Sequence, residues 1–226
     1  MTVLFVVATI ILFLTIDWFA RRAKERKTAP GTQPVTIAKP VSIRTPEGIY
    51  FSPSHTWLNL FPSGKVRIGI DDFVGRMFEN PRITYLKHAG ERVSKGEPLV
   101  MLQEGERTLT VRSPIECEIL SENEDLAQHI DLMQTNLFSD GWAYTIKPVR
   151  FADLRSFMLG PDSRAWMSKE FSRLRDFLSG ALSSRELSPA LLQDGGIPVA
   201  GALKTLDAKH WQEFENEFLA VEERVK

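Results

Sequence analysis

Residues 99–120 constrain this chain most. Two runs that alternate apolar and polar residues flank the turn signal Glu104-Gly105-Glu106, and Ser113-Pro114 opens a third run. Alternation of period two buries one face of a strand, so the pattern predicts a β-hairpin followed by another strand. Residues 57–61 and 65–70, joined by Pro62-Ser63-Gly64, predict a second hairpin by the same alternation and turn chemistry. Further strands are expected over 82–88, 98–103, 108–112, 116–120 and 142–147, with a helix-like start at Asp71-Asp72 and a short helix over 124–134. Many short strands with few helices fit a flattened β-sandwich closed like a barrel.

Other motifs fall in order around that hairpin. Phe51-Ser52-Pro53-Ser54-His55-Thr56-Trp57, then Val66-Arg67-Ile68-Gly69-Ile70-Asp71-Asp72-Phe73, then Gly90-Glu91-Arg92-Val93-Ser94-Lys95-Gly96-Glu97-Pro98 precede it. Asn136 and Gly141-Trp142-Ala143-Tyr144-Thr145-Ile146-Lys147-Pro148 follow. The set resembles the H-protein of the glycine cleavage system, a lipoylated shuttle whose pattern runs from an HxW strand through a G-[IV]-[ST]-D turn to a GW-hydrophobic-K closing strand. The resemblance spans residues 49–148, somewhat under half the chain. It implies a mainly β fold with added helices, the lipoyl-type barrel-sandwich hybrid.

One departure from the family pattern bears on chemistry. The family's lipoyl lysine lies in an E-S-V-K-A turn, and counting back without gaps from Ser113-Pro114 puts the acidic position at Gln103 and the lysine position at Glu106. A one-residue slip puts Arg107 there instead, and no lysine occurs between Lys95 and Lys147. A lipoyl amide needs a primary amine, which neither a carboxylate nor a guanidinium supplies. No lipoate is therefore expected, and Gly105, Glu106 and Arg107 are expected to form a contact surface. A second departure is Cys117, where the family pattern has glycine; a lone cysteine excludes an intrachain disulfide framework and is expected to be a buried small apolar residue.

The amino terminus carries a different signal. Residues 2–20 hold about nineteen positions with only Asp17 charged, enough for a helix to cross a hydrocarbon core of about 30 Å. No basic residue precedes the apolar run, whereas Arg21, Arg22, Lys24, Arg26 and Lys27 follow it, which reads as an uncleaved single-pass anchor with its amino terminus outside and the folded body cytoplasmic. Trp18 suits the interface, and Asp17 lies near enough to the helix end to reach water, although acids inside membranes are often functional. From 28 to 48 the composition turns to Thr, Pro, Gly and Ala, a semi-extended linker whose Lys39 and Arg44 could touch anionic lipid. The expected organisation is 1–27 anchor and basic flank, 28–48 linker, 49–148 β domain, and 149–226 helical extension.

Beyond residue 149 the apolar period becomes 3.6. Pro161-Asp162-Ser163 starts a helix whose apolar face includes Trp166, Phe171, Leu174, Phe177, Leu178 and Ala181. Residues 187–192 predict another turn or two, ended by Gly195-Gly196, and a last helix over 207–223 aligns Trp211, Phe214, Phe218, Val221 and Val225. Such a stripe is ordinarily core. A small helical unit with three large aromatics nevertheless has limited surface of its own to bury them, so Trp211, Phe214 and Phe218 are also candidate docking residues.

Catalytic signals are thin. The four histidines, His55, His88, His129 and His210, share no metal-ligand spacing, and no P-loop, GxSxG or GxGxxG occurs. His55 reads as a structural, hydrogen-bonded residue, and the pairs Asp71-Asp72 and Glu222-Glu223 as solvated carboxylates. No catalytic, metal or cofactor site is expected. With 226 residues, 43% of them apolar, and a net charge of −1 whose basic cluster sits next to the anchor, nucleic-acid binding has no general support.

Three functions are weighed. The first is a non-catalytic, membrane-anchored adaptor or accessory subunit of a larger membrane-associated complex, an electron-transfer assembly among the candidates, with partners in the bilayer through residues 2–20 and in protein subunits. The second is a lipoyl or aminomethyl carrier modified at another lysine, Lys95 or Lys87. The third is a membrane-fusion-type transport adaptor. That class carries its basic flank before the membrane helix, so the cluster from Arg21 to Lys27 argues against it.

Overall fold

The structure, a computed structural model, describes residues 43–182, Leu203 and residues 206–219. The expected anchor at 2–20, its basic flank, the linker up to residue 42 and the helix over 187–192 lie outside the described residues. No helix among the described residues is long and apolar enough to cross a membrane.

Among the described residues, ten strands form two antiparallel sheets. These are β1 (Ile49–Phe51), β2 (Thr56–Leu60), β3 (Val66–Ile70), β4 (Arg82–Tyr85), β5 (Arg92–Val93), β6 (Pro98–Glu104), β7 (Arg107–Arg112), β8 (Cys117–Glu122), β9 (Trp142–Pro148) and β10 (Met158–Leu159). The larger sheet runs β10-β1-β2-β3-β9-β8-β5 and the smaller β4-β6-β7. Alternation decides which side chains meet between them: Val100 and Leu102 on β6, Leu109 and Val111 on β7, and Tyr144 and Ile146 on β9 are all buried. The result is a mainly β fold with added helices. Both expected hairpins are present, with Leu58 paired to Ile68 in the first and Leu102 to Leu109 in the second. In the second, Glu104 pairs with Arg107, and Gly105 takes a φ of 63°, the positive value that suits the first position of a two-residue hairpin loop.

Three short strands, β1, β5 and β10, carry no alternating signal and arise from tertiary pairing alone. The helix expected over 124–134 is two helices, α2 (Glu124–Gln128) and α3 (Leu132–Thr135), following the short α1 (Asp72–Gly75). The break falls at His129, whose backbone leaves helical geometry at φ −127°, ψ 71°. Asn123 does not cap α2, because its side-chain amide donates to the carbonyls of Asp140 and Trp142 at 2.8 and 2.7 Å.

The end of the expected linker belongs to the folded body. Arg44, expected to be available to lipid, donates to Asp72 Oδ1 at 2.6 Å and to the Gln134 carbonyl at 2.6 Å. A buried carboxylate attracts a guanidinium more strongly than solvent-screened headgroups do, which corrects the lipid reading for this residue.

After β9 the chain makes a 3-10 turn (Phe151–Ser156) and β10, then enters α4 (Pro161–Leu182). Its buried face is Met167, Phe171, Leu174 and Leu178, with Trp166 and Phe177 half-buried. The last described element is α5 (Ala208–Phe214), capped by the Asp207 carboxylate on the His210 N–H and continued by a π turn over Glu215–Leu219.

Gly69 marks the tightest point of the core, because a Cβ there would stand 2.4 Å from Trp57 Cε2, inside a fully buried ring. Gly69→Ala is expected to lower stability by about 1–3 kcal/mol, the usual cost of overpacking, measured as a shifted urea midpoint with an unchanged slope.

Candidate functional site

The residues that could act on a partner or a cargo lie at the β6–β7 hairpin, and what holds that region begins inside the protein. Asp71 follows β3 and is fully buried. Its Oδ1 accepts the N–H groups of Phe73 and Val74 at 3.0 and 3.1 Å, capping α1, while Oδ2 meets His55 Nδ1 at 2.9 Å. Asp72, also buried, holds Arg44 on one oxygen and Arg76 on the other. The expectation that this carboxylate pair is solvated is corrected. Each acid is buried because its oxygens are satisfied by backbone donors or cations, the condition under which a carboxylate tolerates burial. His55 is structural as expected. It adopts a φ of 58°, stacks on Phe73 at 4.0 Å and lies 5.1 Å from Trp166.

Phe73, fixed by that cap, presents its ring to both terminal helices. Phe171 of α4 lies 5.2 Å away, with Phe214 at 6.4 Å and Phe218 at 5.5 Å. Arg173 ties the helices together, reaching Glu170 at 2.6 Å and Glu217 at 3.2 Å with its guanidinium 4.9 Å from the Phe218 ring centre. Trp211, Phe214 and Phe218 are therefore buried within this chain. As surface for an outside partner they are corrected: β-domain residues Phe73 and Phe78 supply the apolar area that the helical unit lacks.

The hairpin tip lies beside this cover. Gly105 and Glu106 are exposed, as a contact surface requires, but Arg107 is half-buried. Its guanidinium donates to the carbonyls of Leu203 and Leu206 and stands 5.3 Å over the Trp211 ring. Trp211 Nε1 donates to the Thr108 carbonyl at 3.0 Å, and the ring meets Phe78 edge-on at 5.8 Å. The Glu215 carboxylate lies beside the Thr110 backbone and Arg112, and burial raises its pKa above the usual carboxylate range. Between tip and cover runs an open groove of about 340 Å³, walled by Met77, Phe78, Leu203 and Trp211. Sequence reasoning placed Arg107 and Trp211 on separate candidate surfaces. Only the fold brings them together, across 104 positions of sequence, so no local signal could have joined them.

A lipoyl group is held through an amide to a primary amine. The tip offers a carboxylate at Glu106 and an engaged guanidinium at Arg107, so this turn does not fit that group. The two other lysines considered differ. Lys87 lies 3.8 Å from Glu97 and is partly covered. Lys95 is exposed at the second position of the turn Ser94-Lys95-Gly96-Glu97, which is closed by the Glu97 N–H on the Ser94 carbonyl at 3.1 Å. Lys95 fits an amide-linked group as an amine on a pinned, exposed turn.

Elsewhere polar groups serve the fold. Tyr144 donates to the Leu99 carbonyl at 2.7 Å, and Tyr85 to the Asn123 carbonyl at 2.6 Å. Burial raises the pKa of both phenols. Cys117 is buried as expected, and burial pushes its thiol up to about 11.

Comparison with known proteins gives a consistent answer. The family model for the glycine cleavage H-protein matches residues 49–170. The glycine cleavage system H protein of Chromobacterium violaceum is 29% identical over 113 residues, 50% of this chain and 88% of that protein. The probable glycine cleavage system H protein of Thermococcus kodakarensis is 25% identical over 107 residues, 47% of this chain and 79% of that protein. A crystal structure of a glycine cleavage system H protein from Mycobacterium marinum aligns with a TM-score of 0.45 at 18% identity, covering 55% of this chain and 98% of that one. The family match corrects the expectation that no lipoate is carried, because homologues in that family carry lipoate. The matched span ends inside α4, so Phe171 and everything that packs on Phe73 from α5 lie beyond it.

Two outcomes are expected from this geometry. Asp71→Ala should cost about 2–4 kcal/mol, by losing a helix cap and leaving buried donors unpaired, while Asp71→Asn, which keeps an acceptor oxygen, should cost less; denaturant melts of the two variants decide. Cys117, protonated and enclosed, should resist iodoacetamide at pH 8 in the folded protein and react on addition of denaturant.

Proposed function

The chain belongs to the glycine cleavage H-protein family, and on that premise we propose that it is a non-catalytic docking subunit, held at a membrane by residues 2–20 and built into a larger membrane-associated assembly. The family's domains are carriers and not catalysts themselves, and partner proteins handle them. The observation that carries the reading is the cover on the hairpin end, where Arg107 grips the Leu203 and Leu206 carbonyls and Trp211 lies against Thr108. A shuttle that visits several soluble enzymes needs that end free and needs to diffuse. A tip engaged by its own chain, together with an apolar segment of membrane-spanning length, suits a fixed subunit better. On this reading Glu106 and Gly105 remain as exposed contact points, and the lysine position of the family's turn is filled by Glu106.

A second reading, a carrier with a relocated attachment point, is favoured by Lys95. It is exposed on a turn pinned on both sides, since Gly96 donates to the Ser113 carbonyl at 2.7 Å and Arg112 donates to the Gly96 carbonyl at 3.1 Å. An acyl group there would stand at the opposite end of β6 from the covered tip, roughly 20 Å away along the strand.

Purification from native membranes in mild detergent, with intact-mass measurement of the chain and identification of co-purifying proteins, separates the two. The docking reading expects a stoichiometric membrane assembly. A lipoyl mass increment mapped to Lys95, with soluble glycine-cleavage proteins bound, would replace it by the carrier reading. Glu106→Lys adds a check on the hairpin: lipoate ligase should modify the variant at position 106 if that turn keeps the carrier geometry, and failure on a folded variant would count against the equivalence.

A further inference from the structure

Strand β7 is the outermost strand of the smaller sheet, yet part of its outer edge is covered by the chain's own carboxy-terminal residues. Backbone groups on such an edge normally face water or another strand. Here the Thr108 carbonyl receives Trp211 Nε1 at 3.0 Å, and the Glu215 carboxylate lies beside the Thr110 backbone. Residues four apart on a helix rise about 6 Å, and residues two apart on a strand advance about 6.8 Å. A helix laid along the strand can therefore satisfy alternate outward backbone groups with side chains at i and i+4. Arg107, at the start of the strand, fixes the approach of the helix through the carbonyls of Leu203 and Leu206.

Left open, this edge is suited to its own copy. Antiparallel pairing of two β7 strands with Thr108 opposite Thr110 uses the outward carbonyl that Trp211 now occupies and the stretch of backbone beside which Glu215 lies. That register, centred on Leu109, sets Glu106 opposite Arg112 at both ends, an opposite-charge pair repeated by the two-fold. Leu109 and Val111 already face the core, so both sheets would keep their buried faces on one side.

We propose that the carboxy-terminal cover formed by Leu203 and residues 206–219 is a built-in edge blocker that keeps β7 from pairing with β7 of a second copy of this chain. Its role is thus distinct from docking to other subunits, and it holds whichever reading of the hairpin is right. The burial of Trp211, Phe214 and Phe218 keeps the blocker seated against β7.

The test uses the full chain in mild detergent, with Phe214→Glu to unseat α5 without altering β7. Thr108→Cys and Thr110→Cys are made in separate preparations and mixed under oxidation, since the native Cys117 is fully buried. The expected result is a disulfide-linked dimer several-fold more abundant between 108 and 110 than between like positions, and only with Phe214→Glu. If amide exchange shows that Phe214→Glu has lost protection in β2 and β3, the pair Arg107→Ala with Glu215→Lys takes its place, removing the edge contacts and leaving the aromatic core. An unseated chain that stays monomeric, or one that cross-links all cysteine pairs equally, overturns the proposal.

Discussion

A single buried carboxylate organises this molecule. Asp71 accepts two backbone N–H groups of the turn after β3 with one oxygen and the His55 ring with the other. The first pair fixes where α1 begins and so where Phe73 points. The second holds His55 in a left-handed backbone conformation that a residue with a side chain rarely adopts. Phe73 is sandwiched between His55 and the aromatic side chains of α4 and α5. Moving Asp71 would move the surface on which both terminal helices rest.

Beside that pivot α5 also meets the hairpin, and there its contacts change from apolar to polar. Phe214 and Phe218 bury area against Phe73, whereas Trp211 donates to the backbone of β7, Glu215 lies beside it, and Arg107 donates to two carbonyls on the approach to α5. Apolar burial supplies most of the free energy of such a dock and the hydrogen bonds fix its register, because a buried polar group without a partner is costly. The family's β domain thus carries an addition that is part of its core, seated at the hairpin end.

Much of the β domain was legible in the sequence, because alternation and turn residues act locally. Both hairpins stand in the expected places, and His55 and Cys117 have the structural roles their surroundings suggested. What escaped was non-local. β1, β5 and β10 exist only because a neighbour offers them a ladder, and Asp71-Asp72 looked like an exposed pair because the cations and donors that bury it come from Arg44, Arg76 and His55. Trp211 and Arg107 each stood out as candidates, yet nothing in their spacing says that one covers the other. The absence of lipoate was inferred from one turn, and the lipoate carried by homologues in the family corrects that inference.

Hydrogen exchange on the full chain with Asp71→Ala, which removes both the cap and the His55 partner, followed residue by residue, tests the coupling most directly. The account predicts that amides of α5 and the outward Thr110 N–H lose protection together, while β2, β3 and β9 keep theirs. Unchanged protection at Thr110 and across α5, with α1 alone loosened, would contradict it: the helices would then be seated independently of Asp71, and the pivot would be a local cap.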